Sequence, residues 1–371
     1  MTERPAAFRR DWLRLARTPS VGAVTFRELM RRFGDPSLAL EALPDLARRA
    51  GRVSALSPRT AAEAEDEIAA GEALGARLLL ACDPGFPHLL AALDPPPPLI
   101  WVLGDARSLE RTCVAVVGAR AASALGLRFA GALASDLGAA GLTVVSGMAR
   151  GVDGSAHQGA LRTGTAAVLA GGVDDVYPPQ HTDLHRSILE AGGCMVSENP
   201  PGRSATAADF PRRNRIIAGL SRAVVVVEAE LRSGSLITAR LAAEMGREVL
   251  AVPGSPLDPR SRGGNDLLRQ GAGVCEGAED VLRALAGLGG LEETGLEFDP
   301  EPAPGADRDT PQQPPATARR VILDLLSPSP APRDEIVRLS GLSTSEVNAA
   351  LAELELAGEV VFTVGGGAAL A

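Results

Sequence analysis

From Cys113 onward the sequence alternates short apolar runs of strand length with longer amphipathic stretches, and that rhythm admits few folds. Val114–Val117 predicts a strand and 124–139 a helix. Thr143–Val145 predicts the next strand and 153–163 a helix, then Thr165–Ala170 a strand and 181–191 a helix. Cys194–Val196, the β-branched Ala223–Val227 and Val249–Val252 follow as strands, the last two separated by a helix over 235–245. Such alternation builds an α/β domain: a doubly wound, mainly parallel, Rossmann-like sheet with helices on both faces. Ligands of such sheets bind beyond the carboxyl ends of the strands, so the loops there are where function is sought.

The flanks differ in character. Residues 1–110 read as a helical module and an extension. Phe8, Trp12, Leu13, Leu15, Leu29, Met30 and Phe33 fall near helical spacing, with breaks at Pro19–Gly22 and Gly34–Pro36. A compact helical module (SAM- or helix-hairpin-helix-like) is the simpler reading, and one that touches DNA the sharper. Asp94–Pro98 is stiff and precedes a short strand at Leu99–Leu103. The core is expected over 111–285. Residues 286–316, rich in Gly, Glu, Pro and Asp, read as a linker. Residues 317–371 regain pattern as three helices and a small β wing, a winged helix-turn-helix. Its recognition helix, near 343–356, carries Glu346, Glu353 and Glu355 and no arginine. Phosphates are repelled by such a helix, which favours a protein contact or a remnant over duplex reading.

Composition removes several function classes. All 37 basic residues are arginine. A Walker A loop and a pyridoxal enzyme both need a lysine, so neither is available. Phosphate contacts must come from arginine, backbone N–H groups or hydroxyls. The net charge of −9 looks wrong for a nucleic-acid binder. By region, however, 1–111 carries 15 Arg and 15 acids, 112–275 carries 16 Arg and 14 acids, and 276–371 carries 6 Arg and 17 acids. The acidity therefore sits in the C-terminal part, and an arginine patch can still dominate one face of the core. The scattered cysteines (Cys82, Cys113, Cys194, Cys275) fit a reducing cytoplasm better than a zinc ribbon or a disulfide framework. No apolar run is long enough to span a membrane, and the N-terminus lacks the layout of a signal peptide.

The loops carry the candidate chemistry. The first core strand ends in Val117-Gly118-Ala119-Arg120, which lacks dinucleotide-loop spacing. The second ends in Ser146-Gly147-Met148-Ala149-Arg150-Gly151, glycines around a basic residue at a strand-to-helix turn, a candidate anion nest. Asp153 is placed to cap the helix that follows, and His157 lies four residues on. No nucleophile or second carboxylate has the spacing of an acid–base pair, so a supporting role is preferred. His181 and His185 share a helical face but lack further ligands for a metal. Phe210-Pro211-Arg212-Arg213-Asn214-Arg215 sets three arginines within four residues beside an aromatic, expected on a loop. That combination suits base stacking with phosphate pairing, or else a helix start with solvated arginines. Ser233-Gly234-Ser235 offers hydroxyls and free N–H groups at a helix N-terminus.

Read in order, VAVVGAR, SGMARGVDGSAHQGAL, AVLAGGVDDVYP, SENPPG, FPRRNRIIAGLS, VVVEAELRSGSLITARLAAEMGREVLAVPGS and GGNDLLRQGA closely resemble the DprA/Smf family over about 114–275. The resemblance implies a single-stranded DNA-binding, non-catalytic homodimer. Such a protein protects incoming strands and loads RecA recombinase during natural transformation, without cofactor or metal. It implies a DNA-facing set of Gly118, Arg120, Ser146, Gly147, Arg150, Gly151, Phe210, Arg212, Arg213, Asn214, Arg215, Ser233, Gly234 and Ser235. Two positions depart from the family pattern. Leu125 stands where a tyrosine is common, and Ala205–Asp209 lacks a common lysine, for which Arg203 is the nearest substitute. Two other readings remain: a Rossmann-like nucleotide N-glycosidic-bond hydrolase, although the loop at 233–238 lacks its catalytic Glu, and an adaptor whose acidic tail recruits partners.

Overall fold

The computed structural model describes residues 4–51, 56–287, 316–363 and 366–371. Its centre is one nine-stranded sheet of order β1-β2-β6-β5-β4-β3-β7-β8-β9. The parallel part starts in the middle at β3 (Cys113–Val117) and winds outward through β4 (Thr143–Ser146), β5 (Thr165–Val168) and β6 (Cys194–Ser197). The chain then crosses back to β7 (Ala223–Val226) on the other side of β3 and continues to β8 (Glu248–Ala251) and β9 (Gly273–Val274). This reversal opens a crevice beyond the carboxyl ends of β3, β4 and β7, where a doubly wound sheet takes its ligand. The expected Rossmann-like fold is therefore present.

Alternation along the strands explains why both faces are covered. Val114, Val116, Val144 and Val225 point into one core with α6 (Ala124–Ala139), α7 (Val152–Ala160) and α12 (Ala278–Gly287). Ala115, Val117, Val145, Val224 and Val226 point into the other, with α9 (Asp209–Leu220), α10 (Gly234–Glu244) and the N-terminal helices. A period of two splits a continuous valine run between two faces, which is why these strands read as unbroken apolar stretches. Helix starts are set locally: Ser123 caps α6 by accepting from the Gly126 N–H. The remaining core helices are α8 (Thr182–Glu190) and α11 (Arg262–Arg269).

The N-terminal module holds α1 (Ala6–Arg17), α2 (Ala23–Phe33), α3 (Pro36–Arg49) and α4 (Ala61–Ala73) around Trp12 and Phe26, whose rings meet edge to face at 4.8 Å. Where the sequence reading began the core at residue 111, the sheet itself begins earlier. β1 (Ala76–Leu80) and β2 (Leu99–Gly104), with the short α5 (His88–Ala91) between them, extend it antiparallel from β6. Trp12 donates to the Pro98 carbonyl and Trp101 to the Glu67 carboxylate, locking module to sheet. Gly71 makes room for this: a Cβ there would stand 2.1 Å from the Trp101 ring.

The C-terminal domain has its own core and comprises α13 (Ala316–Leu325), α14 (Arg333–Ser340), α15 (Thr344–Ala357) and the hairpin β10 (Val360–Phe362) and β11 (Ala368–Leu370). It is the expected winged helix. Ser343 and Glu346 close a capping box at the start of α15. The linker expected over 286–316 falls almost wholly on 288–315, outside the described residues. The winged domain lies on the N-terminal module. Leu356 of α15 is buried in the module's core, and the Thr25 hydroxyl donates to Glu355. Arg31 donates to Ser345 (3.4 Å), Arg319 to the Ala50 carbonyl (2.6 Å) and Arg333 to the Asp94 carbonyl (2.7 Å).

Candidate nucleic-acid interface

β3 delivers Arg120 to the crevice. Its side chain is exposed, with no ion-pair partner among the described residues, and its guanidinium lies 5.6 Å from the centroid of the Phe210 ring. β4 delivers the loop Gly147–Gly151, and with it Arg150, likewise exposed and without an ion-pair partner among the described residues. The loop is held from below. Ser146 is fully buried and donates to the Val116 carbonyl. Asp153, rather than capping its own helix, reaches back and accepts from the N–H groups of Gly147 (3.1 Å) and Ala149 (3.3 Å). Two donors that an anion nest would aim at a ligand are thus spent on an internal carboxylate. The Met148 backbone sits in the left-handed region (φ 58°) and its side chain is buried. Gly151 passes against the β3 loop, where a Cβ would stand 2.2 Å from the Ala119 carbonyl.

The sequence reading put Phe210 on a loop, but it stands in the first turn of α9. The helix begins at Asp209, which accepts from the Thr206 N–H and hydroxyl and pairs with Arg203 at 3.0 Å. Arg203, considered as a substitute for the missing lysine, therefore has a partner already. Successive residues of a helix point about 100° apart, so the arginines of 212–215 diverge. Arg213 turns inward, 7% exposed, and donates to the Val168 carbonyl at 3.0 Å. It fits because residue 147 is glycine: a Cβ there would stand 1.6 Å from its Nη1. Burial brings its pKa down to about 10, against the pull of nearby Asp153, so it stays charged at neutral pH. Arg215 pairs with Glu198, and Arg212 is exposed; both line a separate cleft of about 1180 Å³ between α9, the N-terminal module and the wing.

Arg120, Gly147, Arg150, Phe210 and Arg213 meet around one pocket of about 280 Å³. Gly118 does not line it; a Cβ at that position would press on Val152 and the Glu228 carbonyl. Asn214 leaves the pocket and donates to the Gly234 carbonyl (3.3 Å), tying α9 to the Ser233–Ser235 turn. There Ser233 caps α10 and its hydroxyl bonds to that of Ser235, which is buried. Leu125 is 68% exposed on the first turn of α6.

The segment Tyr177–Gln180, which lines the pocket, escaped the sequence reading. Tyr177 is 51% exposed, and its ring meets that of Phe210 edge to face at 5.4 Å. The available signal was its uniqueness: it is the chain's single tyrosine, in a turn of Val-Tyr-Pro-Pro.

The three histidines near the site are engaged by the protein itself. His157 is fully buried, and its Nδ1 hydrogen-bonds with the Thr165 hydroxyl at 2.7 Å. Burial first, then His181 and Arg213, bring its pKa down to about 3, so it is neutral. Burial pushes the Asp153 carboxyl up, with Arg213 opposing. His181 and His185 hydrogen-bond to the Met148 and Val173 carbonyls through Nδ1 and Nε2. Among the described residues, the lining of the pocket holds three arginines, two aromatic rings and no carboxylate. It can hold an anion and a flat ring.

A helical module, a Rossmann-like sheet with an arginine-lined switch-point pocket, and a winged helix, in that order, define a class of three-part proteins. Residues 77–286 match the family model described as DNA recombination-mediator protein A, flanked by a DprA-like N-terminal HHH domain over 6–70 and a DprA winged helix domain over 306–366. The chain belongs to this DprA/Smf family. It is 41% identical over 282 residues to protein Smf of Escherichia coli, covering 76% of this chain and 73% of that one. The X-ray structure of DNA processing protein A from Streptococcus pneumoniae superimposes with a TM-score of 0.62 at 32% identity, covering 76% of this chain and 98% of that one. The Helicobacter pylori protein, solved for its single-stranded DNA binding mode, gives 0.50 at 29%, covering 57% and 96%.

Proposed function

We propose that this chain binds single-stranded DNA without cutting it, and that it acts in DNA processing during natural transformation. The observation that carries the reading is the gathering of Arg120, Arg150 and the buried Arg213 with two aromatic rings around one pocket at the switch point of the sheet. Guanidinium groups pair with phosphates, and aromatic faces accept unpaired bases of any sequence. The binding mode described for the Helicobacter pylori relative supports the same ligand. Within this reading the chain works as a cytoplasmic homodimer that protects incoming strands and hands them to RecA, as the family resemblance implies. The hydrolase reading loses support, because Asp153 and His157 are buried and engaged beneath the pocket.

The test is affinity of the full chain for single-stranded and duplex oligonucleotides across a salt series. Wild type should prefer the single strand, and an Arg120→Ala/Arg150→Ala variant should lose at least tenfold at matched salt. Full retention of affinity by that variant removes the proposal. RecA loading is read separately, by RecA filament formation on DNA precoated with a single-strand-binding protein.

A further inference from the structure

In a doubly wound sheet, the N–H groups that open the helix after the first parallel strand ordinarily meet a nucleotide's phosphate. Here that helix is α6, and its start is already filled. Glu228 stands just past β7, across the switch point from it. Its Oε2 accepts from the Ser123 N–H at 2.8 Å, and its Oε1 from the Ser123 hydroxyl at 2.6 Å. The same hydroxyl accepts from the Gly126 N–H at 2.9 Å, so the first turn closes around a carboxylate. Residue 126 is glycine where that carboxylate passes: a Cβ there would stand 2.7 Å from Oε1. Among the described residues Glu228 forms no ion pair, so its charge is held by the helix start itself. Asp153 does the same beside α7, accepting from the Gly147 and Ala149 N–H groups. Both helix starts next to the switch point therefore carry the protein's own negative charge, while Arg120 and Arg150 stand exposed. We propose, resting on the single-strand reading, that Glu228 is a specificity-determining residue: its carboxylate takes the phosphate's place at the start of α6, shuts free nucleotides out, and reserves the site for a polymer. A nucleoside monophosphate carries its charge on one nearly dianionic group and needs one strong seat, which Glu228 fills and repels. A strand spreads single charges over several arginine contacts and needs no such seat.

The test is calorimetric titration of the full chain with AMP, adenosine and oligothymidylate. Wild type should take oligothymidylate and leave AMP unbound. Glu228→Ala empties the place and should bind AMP at least tenfold more tightly than wild type does, with no gain for adenosine, which lacks the phosphate. Glu228→Gln keeps an acceptor for Ser123 but not the charge, and should gain at least threefold. The alanine variant decides the matter if it melts cooperatively, and the glutamine variant if it does not. In whichever variant decides, AMP should move the amide resonances of Ser123 and Gly126. No gain for AMP in that variant overturns the proposal, as does an equal gain for adenosine or a gain that leaves both amides unmoved. Wild-type protein that binds AMP as tightly as the variant overturns it too. Failure of wild type to bind oligothymidylate removes the single-strand reading instead, and the AMP comparison is read independently of it.

Discussion

Arg213 and Asp153 lie beneath the pocket with their charges interacting, and each limits the cost of burying the other. Removing one leaves the other charge in a low-dielectric site without compensation, a mechanism that produces large stability losses. Arg213→Ala should cost roughly 3 kcal/mol in a urea titration. A loss below about 1 kcal/mol would show that Asp153 does not depend on it. His157 sets a pH signature. Its folded pKa, about 3, lies below the ordinary 6.5, so the unfolded chain takes up a proton that the native site refuses. The stability it contributes is full above about pH 6.5 and falls as the pH drops toward 3. His157→Gln should flatten that part of the stability profile in denaturation curves taken across the interval. An unchanged profile would mean that other groups govern it.

Helix α9 shows how much of the site a sequence can disclose. Its arginines and its aromatic were legible, though not the helix that carries them, and so were the core strands, whose apolar runs end within a residue or two of the observed bounds. What the sequence could not convey was partnership across distance. Arg212, Arg213 and Arg215 look like one patch along the chain, but the helix turns them apart, toward solvent, Asp153 and Glu198. Likewise the Ser146–Gly151 loop reads as a nest until Asp153 is seen to occupy two of its donors. β1 went unread, and the strand read at Leu99–Leu103 could not be assigned to this sheet, since local pattern does not say which edge a strand joins. The divergence has a measurable consequence. Each phosphate that a cationic side chain neutralises on a single strand releases counterions and changes the slope of log affinity against log salt by about 0.7. Arg120→Ala should reduce the slope by about that much, and Arg215→Ala, already neutralised by Glu198, should leave it nearly unchanged. Equal slope changes for the two would contradict the division of roles.

At the scale of the whole molecule, the winged domain uses the end of its recognition helix to grip its own N-terminal module. The acidic α15, expected to repel phosphates and to be a protein contact or a remnant, docks on α2 through Thr25, Glu355 and Leu356. Burial holds the Glu355 carboxyl above its usual range, with the Thr25 hydroxyl opposing. The neutral carboxyl therefore fits the contact best: docking is fullest below about pH 4.5 and weakens as pH rises through the displaced pKa. Hydrogen exchange across 23–33 and 344–357 should accelerate over that rise beyond the intrinsic chemical rate, and Glu355→Gln should suppress the excess. Glu355→Lys should open both segments at every pH. Protection unchanged in that variant would show that the domain is held by other contacts.

The carboxylate of Asp153 bears on kinetics as well as shape. A loop whose amides are already bonded has little left to arrange when a strand arrives, so little ordering entropy is charged to binding. Capture should then proceed in one fast phase whose rate follows ionic strength, with no slower isomerisation behind it.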